Sequence, residues 1–583
     1  MKNILNIILL SMITGSLVFL FACDQEFLDT QPKGVASEQV MKEDKGVEAL
    51  LIGAYDHLNG AGSHDGNVAV NWITGTVWSD DSYWGGEAWP RPAATYDVTP
   101  ITSDVDGTWK CCYDGVSRAN DVLRFLWENQ QMEEKITEAR ATQIEAEAKF
   151  LRAYYHFYAQ RVYWQVPYIK TKQEMEGKDP SEIPNDSKVW DEIENDLQYA
   201  IDNLPTAPPE GEPGRADKYA AMAVMARVHL FQQEYGQAKT LLDNIINSEE
   251  FELVDNYNDN YKATTENNDE SIFEIQCSVG DGSGGVNALW VLQRAAHQKG
   301  PAARGWGQFQ PSVNLFEAYQ TDSDGLPVLD AEDREELKID QGVESSEEYI
   351  PTDHPIDPRV DYTLARRGIP YLDWGIHQGK NWIRNQDFGG PFMTNKFMHP
   401  KSAEPALTTP GGSHNARNWR AYRYSHVLLW RAEIAVEENE LEYARELVNL
   451  IRNRAKNSEH VMGRCTTYVF DGRDIEVDWD QPAANYNLEP YPEDAEAFST
   501  QEKARKAVRM EHRLEFALEG HRFFQLRRWG IDDDVLNNFL QDDAEYKSNL
   551  EGITYDPEKH DHWPIPQSQL DIQETLSQDP NWK

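Results

Sequence analysis

Apolar residues recur at alternating steps of three and four through EARATQIEAEAKFLRAYYHFYAQRVYW, at Ala141, Ile144, Ala148, Leu151, Tyr155, Tyr158 and Val162. That spacing gathers them on one face of a helix. Pro167 stops the run, because proline has no amide hydrogen for the ladder. A second stripe, Val189, Ile193, Leu197, Ile201 and Leu204, ends at Pro205 and should pack antiparallel to the first. Two further segments follow. RADKYAAMAVMARVHLFQQ carries Ala220, Ala223, Ala226 and Leu230, small enough for close helix approach. EYGQAKTLLDNIINS turns back with Tyr235, Ala238, Leu241, Leu242 and Ile245.

Far downstream, YSHVLLWRAEIAVEEN and ELEYARELVNLIRNRAK repeat this cadence of small residues, short turn and Ala-x2-Leu spacing. Both later pairs read as degenerate tetratricopeptide-like hairpins, and stacked hairpins would share one continuous core. A helix is expected from about Glu38 to Leu58, with Leu50, Leu51, Ala54 and Leu58 on one side. Another runs from about Gln501 to Glu519 into GHRFFQLRRWG.

Elsewhere the periodicity fails. Residues 59–110 hold VNWITGTVWSDDSYWGGEAWPRP, with no period of 2 or 3.6, and read as recognition loops. Residues 260–418 are loop, short helix and little strand, with Ile272, Phe273 and Ile275 forming one short strand. A second irregular insertion spans 461–500. The fold class is therefore mostly α: a helical-hairpin scaffold at about 138–248 and 420–456, an irregular ligand-binding part at about 59–110 and 260–418, and a C-terminal helix and tail at about 501–583.

The N-terminus changes the cellular picture. Lys2 precedes a run from Ile4 to Ala22 that is almost wholly apolar or small, the layout of a secretory signal over residues 1–22. A membrane span of about 20 residues is the competing reading, but polar chain, DQEFLDTQPKG, follows at once. Residues 23–37 read as a tether and 38–583 as the body.

Charge narrows the partners. Lys plus Arg number 55 against 99 Asp plus Glu, a net charge of −44. Nucleic acid needs a basic footprint and is excluded. Polyanionic substrates are disfavoured, while neutral sugars and peptides remain compatible. Five cysteines include the adjacent Cys111–Cys112, with Cys277 and Cys465 further on. No CxxC or histidine cluster makes them a metal site. A disulfide from Cys111 or Cys112 to a distant cysteine stays open beside free thiols.

With 18 Trp, 26 Tyr and 20 Phe, aromatic platforms for sugars are available. An indole covers the C–H face of a sugar, and carboxylates, amides or Arg take its hydroxyls. The candidates are Trp78, Asp80, Asp81 and Trp84, with Trp72 and Tyr83 beside them. Downstream, Trp290, Arg304, Trp306, Asn381 and Trp382 have the same character, as do Trp374 and Arg384. Trp78 and Trp84 rank first because polar and Gly residues surround them. Tyr155, Trp164 and Trp430 lie within helical patterns and read as core.

Glu511, Glu515 and Glu519 share one helix face. A glycosidase needs two carboxylates at about 5–9.5 Å, but Arg505, Arg509, Arg513 and Arg522 crowd the region, so ion pairs locking the last helix are the simpler reading. DSDG at 322–325 matches only part of a calcium loop, and a structural calcium there stays open. No other metal spacing, phosphate loop, nucleophile elbow or cofactor motif is present.

Two resemblances complete the reading. Leu20-Phe21-Ala22-Cys23 resembles the bacterial lipobox, which implies lipidation of Cys23; the acidic Asp24, Glu26 and Asp29 resemble the surface-export signal of Bacteroidetes lipoproteins. EAKFLRAYYHFYAQRVYWQVPYI, DLQYAIDNLP, GRADKYAAMAVMARVHLF, NNDESIFEIQ, VLLWRAEIAVEENELEYARELVNLIRNRA, RMEHRLEFALEGHRFFQLRRWG and WPIPQSQL with QDPNW, in that order, resemble the SusD/RagB family of surface nutrient-binding lipoproteins. The resemblance implies a helical scaffold with four tetratricopeptide-like hairpins. It further implies a non-catalytic, outward-facing outer-membrane lipoprotein that acts as a lid on a TonB-dependent, SusC-like transporter and delivers oligosaccharides or, in some members, peptides. The alternative from the residues alone is a surface glycoside hydrolase.

Overall fold

The computed structural model describes residues 38–59, 72–85, 92–280, 299–301, 307–408 and 416–582. Its helices of eight or more residues are α1 (Asp44–Asp56), α2 (Ser103–Asn129), α3 (Glu138–Val162), α4 (Trp190–Asn203), α5 (Lys218–Phe231), α6 (Tyr235–Ile246), α7 (Tyr424–Glu437), α8 (Leu441–Asn457), α9 (Gln501–Phe516), α10 (Arg522–Trp529) and α11 (Asp532–Asp543). Helices α2 to α6 pack each on the next; α7 then packs on α6, α8 and α9. The downstream hairpin thus continues the stack although more than 170 residues separate it in sequence.

The stripes are where periodicity puts them: Ala141, Ile144, Leu151, Tyr155 and Tyr158 on α3, and Ile193, Leu197 and Ile201 on α4, are buried. Helix α3 buries far more than one stripe, including Arg152, His156 and Glu147, because α2, α4 and α1 all pack on it. Thr137 caps it, accepting the Arg140 amide on its hydroxyl.

Three expectations need correction. Residues 103–110 are not loop: they open α2, of 27 residues. Val105, Trp109, Cys112, Val116 and Ala119 form its buried stripe, a 3–4 spacing present in the sequence but masked by Gly107, Gly115 and the cysteine pair. Gly115 is there for contact, since a Cβ would lie 2.4 Å from the Tyr155 ring of α3. The first helix breaks after Met41 and resumes at Asp44. The core is not one piece, for α7, α8 and α9 enclose a second apolar cluster around Leu429, Val448 and Val508.

Among the described residues the irregular parts carry four two-stranded antiparallel sheets: β1 (Ser82–Tyr83) with β3 (Gln310–Pro311), β2 (Ser271–Ile275) with β6 (Trp419–Arg423), β4 (Leu364–Ala365) with β5 (Met393–Thr394), and β7 (Met462–Cys465) with β8 (Val477–Pro482). The strand expected at Ile272–Ile275 is β2. Cys111, Cys112, Cys277 and Cys465 are free thiols. Among the described residues no helix is long and apolar enough to cross a membrane.

Candidate functional site

Segment 72–85 turns inward. Trp72–Val77 forms one wide helical turn, entirely buried. A Cβ at Gly75 would sit 2.0 Å from the Gly520 carbonyl oxygen, so this glycine lets the turn dock against the C-terminal part. Trp78 is 0% exposed. Its Nε1 donates to the His560 carbonyl at 3.0 Å, and Tyr96, Phe523 and Trp563 meet it edge-on. Trp84 is buried and stacks on Trp72 with ring centres 5.7 Å apart.

Asp80 and Asp81 are buried with them. Arg522 grips Asp80 through two hydrogen bonds of 2.8 and 2.9 Å, and Arg513 reaches Asp80 and Asp81 at 3.0 Å each. Burial pushes Asp80 up, yet Arg513 and Arg522 outweigh it and hold its pKa at about 2. Asp81 goes the other way: burial and the adjacent Asp80 charge raise it against the pull of Arg513. Trp78, Asp80, Asp81 and Trp84, expected at a sugar site, are therefore a plug between helices and the C-terminal part. No face of either indole is open to a ligand.

The glutamates of the C-terminal helix are ion-paired as expected, with other partners. Glu511 binds Arg359 at 2.7 Å and Arg452 at 3.2 Å. Glu515 binds Arg423, Arg454 and Arg359. Glu519 lies beyond the end of α9 and takes Arg423 and Lys396 at 3.0 Å. Arg505 instead holds Glu437. All three carboxylates are buried and each is held by Arg or Lys, so this face is a brace. The DSDG turn is also spent internally, since Asp322 accepts the Asp324 and Leu326 amides at 2.9 Å each.

Residues 340–383 and the β7–β8 hairpin carry two small apolar clusters of their own. Trp382 is buried, its ring edge-on to Tyr371 and His377 and covered by Gly300, whose Cβ would lie 2.8 Å from it. Trp374 is buried as well, its Nε1 donating to the His399 carbonyl. His377 stays neutral, as burial and then Arg367 drive its pKa down to about 3. Asn381 is exposed, and Ser345 holds its backbone amide at 2.9 Å. Trp290, Arg304 and Trp306 lie outside the described residues, as does Cys23.

The residue that sequence reasoning missed is Trp479 on β8, 61% exposed. Its ring lies against Gly463: a Cβ there would be 2.7 Å from the ring and 3.0 Å from the Pro370 side chain, and Gly463 has φ 115°. A glycine of positive φ beneath an exposed indole is a seat for that ring. The alternation expected of a half-buried strand is absent here, since Asp478, Trp479, Asp480 and Gln481 are all exposed. Trp164, expected in the core, is 40% exposed. On the helical side, α2 and residues 167–180 border a cleft of about 550 Å³, but its Tyr113 and Asn120 are spent on the Pro167 and Ile169 carbonyls.

Comparison with known proteins fits this architecture. A profile described as "SusD family" matches residues 269–582, and one described as "Starch-binding associating with outer membrane" matches residues 26–230. SusD-like protein P25 of Formosa agariphila is 24% identical over 95% of both chains. A SusD-like protein of Bacteroides ovatus is 26% identical over 54% of this chain and 57% of its own length. Among solved structures, a SusD homolog from Bacteroides thetaiotaomicron aligns over 94% of this chain and 98% of its own, at TM-score 0.68 and 21% identity. Surface glycan-binding protein A from the same species, in complex with laminarihexaose, aligns over 92% and 99% at TM-score 0.64 and 20% identity.

Proposed function

The chain belongs to the SusD family, and on that premise we propose that it is an outer-membrane surface lipoprotein that binds a neutral oligo- or polysaccharide and hands it to a TonB-dependent, SusC-like transporter. The observation that carries the binding role is Trp479: an indole seated against Gly463 and 61% exposed. A pyranose stacks on such a face through its C–H groups. Asp478 and Asp480 flank the ring in sequence and are exposed, within the range of roles that take hydroxyls. Asn381, Trp290, Arg304 and Trp306 are proposed as further sugar contacts. Cys23 carries the acyl anchor, and the tether behind it gives the body slack.

Binding rather than hydrolysis is supported by the brace of Glu511, Glu515 and Glu519, whose carboxylates are all held by Arg or Lys. The test is calorimetric titration of wild type, Trp479→Ala and Asn381→Ala with laminarihexaose, soluble starch and a panel of neutral glycans and peptides. Products are followed by chromatography. Loss of a central anchor contributes about 2 kcal/mol, so Trp479→Ala should bind about thirtyfold more weakly. Sugar release that disappears in Asp480→Asn would make the protein a hydrolase. For the partner, full-length protein in mild detergent should co-purify with a large barrel protein from outer membranes, and lone recovery would count against delivery.

A further inference from the structure

At the junction of α3, α5, β6 and α10 the core holds a surplus of hydrogen-bond donors. Arg161, at the end of α3, is 2% exposed, and its Nε and Nη1 have no hydrogen-bond partner. Arg227 of α5 is 7% exposed and meets only neutral groups, Tyr422 Oη at 3.5 Å and His521 Nδ1 at 3.0 Å. Among the described residues neither guanidinium has a carboxylate at salt-bridge distance, although nearly every other buried arginine here has one. Aromatic rings surround the pair instead: Phe157, Tyr158 and Phe524 lie 4.7–4.8 Å from Arg161, and Tyr422 and Trp430 lie 5.7 and 5.9 Å from Arg227. Cation–π attraction offsets only part of the desolvation cost of burying such cations.

Counting protons gives an independent sign that an acceptor is missing. The Arg423 amide donates to His426 Nδ1 at 3.0 Å. His426 is kept neutral by burial and by His521, so its one proton sits on Nε2. That nitrogen is 3.1 Å from His521 Nε2, which must then accept. His521 is also neutral, through burial and Arg227, so its proton is on Nδ1, facing the Arg227 N–H. Any other placement moves the collision to another contact, because three gaps hold four hydrogens.

We propose that a small acceptor-only anion, of chloride size, binds in the core between Arg161, Arg227 and His521. It takes the N–H groups that now face one another and balances the two guanidinium charges. A water molecule would bring two more hydrogens into a place that already has one too many. Such an ion would tie the first helical hairpins (Arg161, Arg227) to the C-terminal part (His521, Phe524).

The test is crystallographic. Crystals of the full chain grown with sodium bromide in place of chloride should show an anomalous bromide peak in contact with the Arg161, Arg227 and His521 nitrogens. In parallel, melting temperature should rise and saturate with chloride at constant ionic strength against gluconate, by ligand linkage, and Arg161→Met should lose that response. Bromide only on the surface (an adventitious ion only), a water in its place, or equal melting in chloride and gluconate overturns the proposal. If Arg161→Met does not fold, the wild-type anomalous map decides alone.

Discussion

Segments 72–85 and 461–482 both lack a clean period in the sequence, both carry tryptophan beside paired aspartates, and they end at opposite extremes of exposure. Trp78 is sealed with Asp80 and Asp81, while Trp479 stands out between Asp478 and Asp480. Local composition does not separate WSDDSYW from DWDQP. What separates them is what lies opposite. Arg513 and Arg522 reach into the first segment and neutralise its carboxylates, so burying it is affordable. In the second, the ring lies against Gly463 but stays 61% exposed, and the carboxylates beside it are exposed too.

The comparison can be broken most forcefully at the plug. Trp78→Ala removes a fully enclosed indole and should cost about 3–5 kcal/mol of stability, read as a large fall in melting temperature. Trp479→Ala should stay within about 0.5 kcal/mol, as surface changes do. Equal losses at both positions would erase the distinction.

Asp80→Ala should be of similar size, about 3–5 kcal/mol, because it leaves Arg522 buried without its partner. The same residue sets an acid limb. Its folded pKa of about 2 lies below the unfolded value of about 3.9. Its stabilisation is therefore fully present above pH ~4 and is lost as the pH falls toward 2. Denaturant melts across that range should show the loss in wild type and a flatter limb in Asp80→Asn.

A smaller effect sharpens the other side. Gly463→Ala places a side chain at φ 115° and 2.7 Å from the Trp479 ring, and should cost about 1–3 kcal/mol. In a Trp479→Ala background the contact with the ring is gone and only the backbone cost and the 3.0 Å approach to Pro370 remain, so the double-mutant cycle gives a non-zero coupling. Additive losses would mean that Gly463 does not seat the ring.

Several parts of the molecule were legible from one-dimensional pattern. The stripes of α3 to α8 and the strand at Ile272–Ile275 come from the residues themselves, since a period of 3.6 or 2 is a local property. The ion-paired character of Glu511, Glu515 and Glu519 was also readable, because spacing by four beside many arginines has few other outcomes. Helix α2 was readable in principle. Its Val105-Trp109-Cys112-Val116 stripe obeys the same rule, but its two glycines read as loop signals, and one of them answers to a ring on the neighbouring helix.

The sequence by itself determined the helical class, the order of the hairpins, the family and the net acidic charge. Tertiary structure alone decided which tryptophans face solvent and which arginine holds which carboxylate. The reason is distance along the chain. Asp81 finds Arg513 across 432 residues and Asp80 finds Arg522 across 442, and no local periodicity encodes a pairing of that range. Whether a Trp-Asp loop folds inward depends on a charge supplied from the far end of the polypeptide, and only the assembled core brings the two together.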